Sequence, residues 1–306
     1  MKGFKKKTGI TTHPYPLKSI RFRELPKDYN GIVHVWDVDK TYLDTHFSSV
    51  KGMTRIPIEF SVDKRAIVGM SEILRGLRWG NGPDYQGVPI FFVTASPVSM
   101  RGVLRTKMSL DGIEYDGLLM KDWMACIRGF RPGRLREQLG FKVCALLILR
   151  MGHTSAMEFL YGDDTEVDAQ AYTLYARLIT GKISAGEAES MMSGFGIKKD
   201  DRVCILEMLD RLGPVKGRVK KAFIHLEKGH EPSEFNDMGD IVQPVKGAGQ
   251  LAMALFQHEQ ITGSAAIRSI EACSTHPRWK VTPKMVNDAI NRGLIEPERW
   301  EEIKKD

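Results

Sequence analysis

Hydrophobic and polar positions along the chain fall into two textures. In the first half, short apolar runs, the first of them β-branched, alternate with stretches whose apolar residues recur at helical spacing. The runs are Gly31–Trp36, Val88–Thr94, Tyr115–Met120 and Met157–Tyr161, and each reads as a buried strand. Between them, Asp63–Trp79 carries Ile67, Val68, Met70, Ile73, Leu74 and Leu77 at a helical period, and Ser99–Met108 and Gly133–Leu139 are helix-like. Strands alternating with helices predict a parallel sheet covered on both faces. Past residue 169 the texture turns helical. Ala169–Ile179, Ser184–Phe195 and Asp200–Leu212 are amphipathic, one strand is expected at Val219–Leu226, and Gly247–His258 reads as a helix. Short helices are expected at Ser264–Cys273, Pro283–Arg292 and Pro297–Lys305. Lys142–Arg150 shows no clean helical stripe and, on its residues alone, reads as a buried strand. The expected organisation is a basic N-terminal arm over 1–30, an α/β domain over 31–263 and a helical C-terminal extension over 264–306.

Composition changes this picture little. The chain has 306 residues, of which 42% are hydrophobic and 27% charged, and this excludes a disordered, collagen-like or membrane-embedded protein. Its four cysteines stand far apart with no metal-ligand spacing, so a disulfide framework and a structural zinc site are not expected. The longest apolar run, Val143–Leu149, has seven residues, against the ~20 that span a bilayer as a helix. The basic N-terminus lacks an apolar region behind it, so no secretory signal is read there and a cytoplasmic location is expected. The net charge of +7 favours anionic partners.

The placement of acidic residues says more. The first strand runs into Trp36-Asp37-Val38-Asp39-Lys40-Thr41, the second into Thr94-Ala95-Ser96-Pro97, and the fourth into Gly162-Asp163-Asp164-Thr165-Glu166-Val167-Asp168. In an open parallel sheet the carboxyl ends of the strands converge on one crevice. Singly, each aspartate is equally a turn or cap residue. Together they assemble carboxylates with no histidine or thiol, a set that suits Mg2+ and a substrate phosphate.

In that order and on those residues the chain resembles the haloacid dehalogenase (HAD) superfamily of phosphohydrolases. Within it, the chain is similar to the Mg-dependent phosphatidate phosphatases of the fungal actin-patch type. Asp37-Val38-Asp39-Lys40-Thr41 matches the first motif, Thr94-Ala95-Ser96-Pro97 the second, and Gly162 to Tyr172 the fourth. Lys142 lies about twenty positions before the Gly-Asp pair, where the third-motif lysine is expected. Lys40 stands where an acidic residue is usual and Asp164 where serine is usual, which bears on substrate preference more than on chemistry. The resemblance implies a Rossmann-like three-layer fold of HAD type with a helical insertion near 180–216. It also implies that a helix, not a strand, starts near Lys142.

The roles it implies are Asp37 as nucleophile, Asp39 as general acid and base, and Thr94 and Lys142 as phosphate-binding groups. Mg2+ would be held by Asp37, the Asp39 backbone carbonyl, Asp163 and Asp168, with Asp164 orienting Lys142. Lys121, just after the third strand, competes with Lys142 for its role. His34 alternates within the first strand and reads as a packed or hydrogen-bonded residue. Residues 42–88 and 95–141 leave room only for minimal caps, the former including an extended piece at Arg55–Phe60. Such a site is open, which suits a lipid phosphate met at an anionic membrane surface, with Lys5, Lys6 and Lys7 assisting peripheral association. Alternatives are a phosphatase for nucleic-acid ends or phosphoprotein, and a catalytically silent phosphate-binding module. Nucleic acid ranks behind lipid phosphate, because no aromatic RNA-binding motif, zinc finger or Lys/Arg stripe is present.

Overall fold

The structure, a computed structural model, describes residues 8–12, 19–26, 28–44, 65–128, 132–135, 137–181 and 183–305. Lys5–Lys7 and Arg55–Phe60 lie outside these residues. The strands are β1 (Thr8–Thr12), β2 (Ser19–Arg23), β3 (Ile32–Asp37), β4 (Ile90–Pro97), β5 (Gly117–Lys121), β6 (Met157–Asp163), β7 (Arg218–His225) and β8 (Val242–Val245). They form one eight-stranded sheet in the order β1-β2-β5-β4-β3-β6-β7-β8. The strands from β3 to β8 pair in parallel, while β1 and β2 form an antiparallel pair at the β5 edge.

The helices are α1 (Met70–Trp79), α2 (Arg101–Leu110), α3 (Trp123–Arg128), α4 (Leu139–Met151), α5 (Asp168–Leu178), α6 (Ala185–Gly194) and α7 (Lys199–Leu212). They continue as α8 (Gly247–Gln257), α9 (Gly263–Ala272), α10 (Pro283–Asn291) and α11 (Pro297–Ile303). Strand alternation divides the core into two layers, one on each sheet face. Val33, Val35, Phe91, Val93, Leu160 and Ile224 pack against α4, α5 and α7. Trp36, Phe92, Phe159, Tyr161 and Phe223 pack in the opposite layer, which holds α1, α8 and α9 and continues into Val286, Leu294 and Ile303.

Three expectations are corrected. Lys142–Arg150 is the body of α4, not a strand: every residue from Leu139 to Arg150 is buried, so no polar face exists to produce a stripe. Gly133–Leu139 is not one helix; a short 3-10 turn at Pro132–Leu135 precedes α4. The N-terminal arm contains β1 and β2, and the last parallel strand, β8, was not anticipated. β8 has four residues and contains Pro244, which only an edge position accommodates readily.

From β3 the chain moves through α1 to β4 on one side, and from β5 it returns through α4 to β6 on the other. The carboxyl ends of β3 and β6 therefore flank a topological switch point, the place where open α/β sheets form binding crevices. Among the described residues, no helix is long and apolar enough to cross a membrane.

Candidate active site

Asp37 is the last residue of β3 and Asp163 the last of β6. Asp168 opens α5, and Lys142 sits in the first turn of α4. The Lys142 ammonium lies 3.1 Å from Asp37 Oδ1 and 3.2 Å from Glu166 Oε2, and it also donates to Asp168 Oδ1. Carboxylate oxygens of Asp37, Asp163 and Asp168 all lie within 4.8 Å of one another. The two helix N-termini that reach the cluster add positive ends of dipoles to a negative site.

Local geometry explains the convergence. Asp168 Oδ2 accepts from the Asp163 backbone N–H at 3.2 Å, which folds the loop back on the strand. A Cβ on Gly162 would stand 2.4 Å from the Asp168 Cβ, so only glycine permits that approach. Asp163 Oδ1 accepts from the backbone N–H of Thr165 at 2.5 Å and from its hydroxyl. After β3, Lys40 adopts a left-handed conformation at φ 61°, and the Val38 carbonyl accepts from Tyr42 and Leu43. His225 Nδ1 donates to the Lys40 carbonyl at 3.1 Å, and burial holds its pKa below the ordinary value, so the ring is a neutral prop. Lys40 itself pairs with Asp44 at 2.9 Å.

The carboxylate of Asp39 turns the other way, toward β4. Thr94 Oγ1 and Ser96 Oγ both donate to its Oδ2 at 2.9 Å. The pairing of β4 with β5 shifts register between Thr94 and Pro97, and this irregularity aims both hydroxyls at one acceptor. The Ser96 backbone N–H donates to Thr94 Oγ1 at 3.0 Å, and Trp123 Nε1 donates to the Ala95 carbonyl at 2.8 Å.

The charge balance of the cluster is uneven. Four carboxylates, those of Asp37, Asp163, Glu166 and Asp168, surround one ammonium. Burial lifts Asp37 well above the ordinary carboxylate range; Lys142 pulls it back, while Asp168, Glu166 and Asp163 push it higher. Burial and Asp168 push Asp163 up to about 8, and Asp168 is raised as well. Burial alone would lower Lys142, but Asp168, Asp37 and Glu166 outweigh it and hold the ammonium well above its usual pKa. Asp37 Oδ2 and Asp163 Oδ2 are buried without a hydrogen-bond partner. Orphaned, crowded carboxylate oxygens fit a cation that would neutralise them, and this three-carboxylate set could hold a metal ion.

The structure therefore brings together Asp37, Asp163, Asp168 and Lys142, with Asp39 and Thr94 linked to each other beside them. Lys121 lies elsewhere: its ammonium donates to the Arg134 carbonyl at 2.7 Å and to the Leu135 and Glu137 carbonyls. Asp164 does not orient Lys142. It accepts from the Lys228 N–H at 2.8 Å and from His230 Nδ1 at 3.0 Å, tying the β7–β8 loop to the β6 loop. Besides Asp37 and Asp168, the residue that reaches Lys142 is Glu166, itself held by Gln138 Nε2 at 3.1 Å. Sequence reasoning gave Glu166 and Ser96 no role, although both stood inside the quoted motifs. His34 packs and bonds Tyr161 at 2.8 Å, and burial pushes its pKa down to about 3.

Residues 32–185 match the family model described as phosphatidate phosphatase APP1, catalytic domain. No curated protein and no solved structure matches the chain. The match spans half of the chain and includes every residue of the carboxylate cluster, Lys142, Thr94 and Asp39.

Proposed function

The chain belongs to the phosphatidate phosphatase APP1 catalytic-domain family and is a phosphatidate phosphatase-like enzyme; on that premise we propose a Mg-dependent phosphomonoesterase of HAD type that works through a phosphoaspartyl intermediate on Asp37. The observation that carries this reading is the buried Asp37 carboxylate, with Oδ2 unpartnered and Oδ1 held 3.1 Å from the Lys142 ammonium. A carboxylate free on one oxygen and fixed on the other is set up as a nucleophile.

One carboxylate oxygen of Asp37 attacks phosphorus, and the bond to the ester oxygen breaks. Asp39, in its protonated form, gives its proton to the leaving alkoxide. Asp39 then takes a proton from water, whose oxygen attacks phosphorus, releasing phosphate and regenerating Asp37. The hydroxyls of Thr94 and Ser96 fix the acid/base carboxylate at 2.9 Å, so its orientation is set before substrate arrives. In this reading the Thr94 hydroxyl turns from Asp39 to a phosphoryl oxygen when substrate binds, and Lys142 balances charge on the transferring group. Mg2+, held by Asp37, Asp163 and Asp168 with the Asp39 carbonyl, would supply charge neutralisation for the phosphate. A phosphatidate substrate would be met at a membrane surface by a peripherally bound protein.

Phosphatidate in mixed micelles, a soluble sugar phosphate and a 5′-phosphorylated oligonucleotide, each with Mg2+ or EDTA, test the reading. The expected outcome is Mg-dependent phosphate release that is fastest on phosphatidate. Full activity in EDTA would remove the metal from the scheme. Turnover of the oligonucleotide without turnover of phosphatidate would move the substrate to nucleic-acid ends.

A further inference from the structure

A second charged feature lies at the opposite, amino-terminal edge of the sheet. A cleft of about 580 Å³ opens beside the start of β7. Its cationic lining is Arg218, Lys220 and Lys221, with the His258 ring beside them, and its apolar lining includes Phe159 and Ile241. Lys220 is five residues before His225, so the cleft stands roughly 17 Å from the carboxyl edge at ~3.3 Å per strand residue. It is a different place from the carboxylate cluster, and it lies outside the family match apart from Ile32 and Phe159.

The cleft is electrostatically one-sided. No carboxylate side chain lines it. Among the described residues, the side chains of Arg218 and Lys220 have no hydrogen-bond or ion-pair partner, and both are exposed. Lys221 donates to the backbone carbonyl of Asp240 at 2.9 Å, and Asp240 is the carboxylate that acts on it. His258 is held below its ordinary pKa by burial and then by Lys221 and Lys220, as expected of a ring facing cations. The carbonyl end of α8, a source of negative potential, is largely covered: Gln260 Nε2 donates to the His258 carbonyl at 2.6 Å and Arg299 to the Phe256 carbonyl at 2.9 Å. A cavity of this volume is of small-molecule size, and its mixed lining offers cations at one side and an apolar wall at the other.

We propose that this cleft binds a phosphate-bearing organic anion, with Arg218 and Lys220 as its charged contacts, at a site separate from the carboxylate cluster. Phosphate suits the cations, and an organic body suits Phe159 and Ile241. The same chemistry is offered by a soluble phosphate ester and by an anionic lipid headgroup, so two probes are needed.

The test compares the full-length protein with Arg218→Gln/Lys220→Gln, and with Lys198→Gln/Lys199→Gln as a charge-matched control at exposed positions. Binding of pyrophosphate is measured by calorimetry, and binding to four-to-one phosphatidylcholine–phosphatidylserine vesicles by sedimentation. The expected result is roughly tenfold weaker binding of at least one probe by the Arg218/Lys220 variant, equivalent to the loss of one good charged contact, with the control unchanged. Loss confined to pyrophosphate assigns a soluble phosphate group as the ligand's charged part, and loss confined to vesicles assigns a headgroup. A change below threefold on both probes, or an equal loss in the control, overturns the proposal.

Discussion

Helix α4 and strand β6 each carry a buried charge at both ends, and the two ends follow opposite rules. At the carboxyl edge, Lys142 and Asp163 belong to a cluster with excess negative charge and carboxylate oxygens left unpartnered. At the other end, Arg150 and Glu158 form a fitted set. Arg150 Nη2 lies 2.6 Å from Glu158 Oε2 as an ion pair that makes no directed hydrogen bond. Its Nη1 donates to the Ala156 carbonyl at 2.8 Å and its Nε to Tyr175 at 3.0 Å, so this set matches charge for charge. Glu158 also accepts from Tyr175 at 2.8 Å, and its other oxygen bonds His153 at 2.9 Å. Burial alone would raise Glu158, but Arg150 and the bonds from His153 and Tyr175 hold it below its usual pKa. The same two elements thus bury one cluster that matches its charges and one that leaves them unmatched. The first holds the fold, and the second is the one with chemistry left to do.

Substitutions should separate the two. The largest effect is expected for Asp37→Asn: phosphatase turnover should fall by about 10^4-fold or more, since an amide cannot form the acyl phosphate. Yet its metal-free thermal midpoint should rise by about 2–4 °C, because one repelling carboxylate is gone from a crowded site. A midpoint that falls would mean the cluster is not frustrated. Glu158→Gln should do the reverse. It leaves the Arg150 guanidinium buried without its counter-charge and should cost about 3–5 kcal/mol by denaturant titration. Turnover of the molecules that remain folded should be little changed.

How far these clusters were legible in the sequence follows from the same physics. Asp37, Asp39, Thr94, Asp163 and Asp168 are readable because each lies at or just beyond the end of a short apolar run that reads as a strand, and the topology brings strand ends together. Lys142 was readable only through the resemblance, because α4 is buried all round and its own pattern is silent. The resemblance implies Asp164 as the loop carboxylate that orients Lys142, whereas Glu166 of the same loop is the one that reaches it. Which of Asp164 and Glu166 reaches across depends on how the loop folds back on Asp163, and acidic residue types do not encode that. The Arg150–Glu158 set was invisible, since its members are ordinary charged residues inside apolar runs and only the packed sheet joins them. β8 escaped because four residues containing a proline give no strand signal.

A smaller effect should follow from Gly162→Ala. The added methyl group meets Asp168 Cβ at 2.4 Å, so the loop that returns Asp168 to the cluster must shift. Overpacking of this kind costs about 1–3 kcal/mol, and the Mg2+ concentration for half-maximal activity should rise. Alanine at Gly181, where no atom lies within 4 Å but φ is +66°, controls for backbone strain alone. Equal effects on metal requirement at both positions would detach Gly162 from the site.

The smallest expected effect is a pH dependence belonging to the fitted cluster. Glu158 has a lowered folded-state pKa, and an unfolded glutamate titrates near ~4.3. Its contribution to stability is therefore fully present above about pH 4.3 and is lost as pH falls through the lower folded-state value. In that window the unfolded chain binds the proton that the native state refuses, so stability declines on acidification by at most about 1.4 kcal/mol per pH unit from this one group. Denaturant midpoints of wild type and Tyr175→Phe, measured from pH 6 to pH 3, isolate it. Tyr175→Phe removes a bond that favours the charged form while leaving the Arg150 pair in place. The variant should start less stable at pH 6 and converge toward wild type as the pH drops. Parallel curves across the whole range would show that Glu158 is not held charged by its neighbours, and the contrast between the two ends of α4 would then rest on geometry alone.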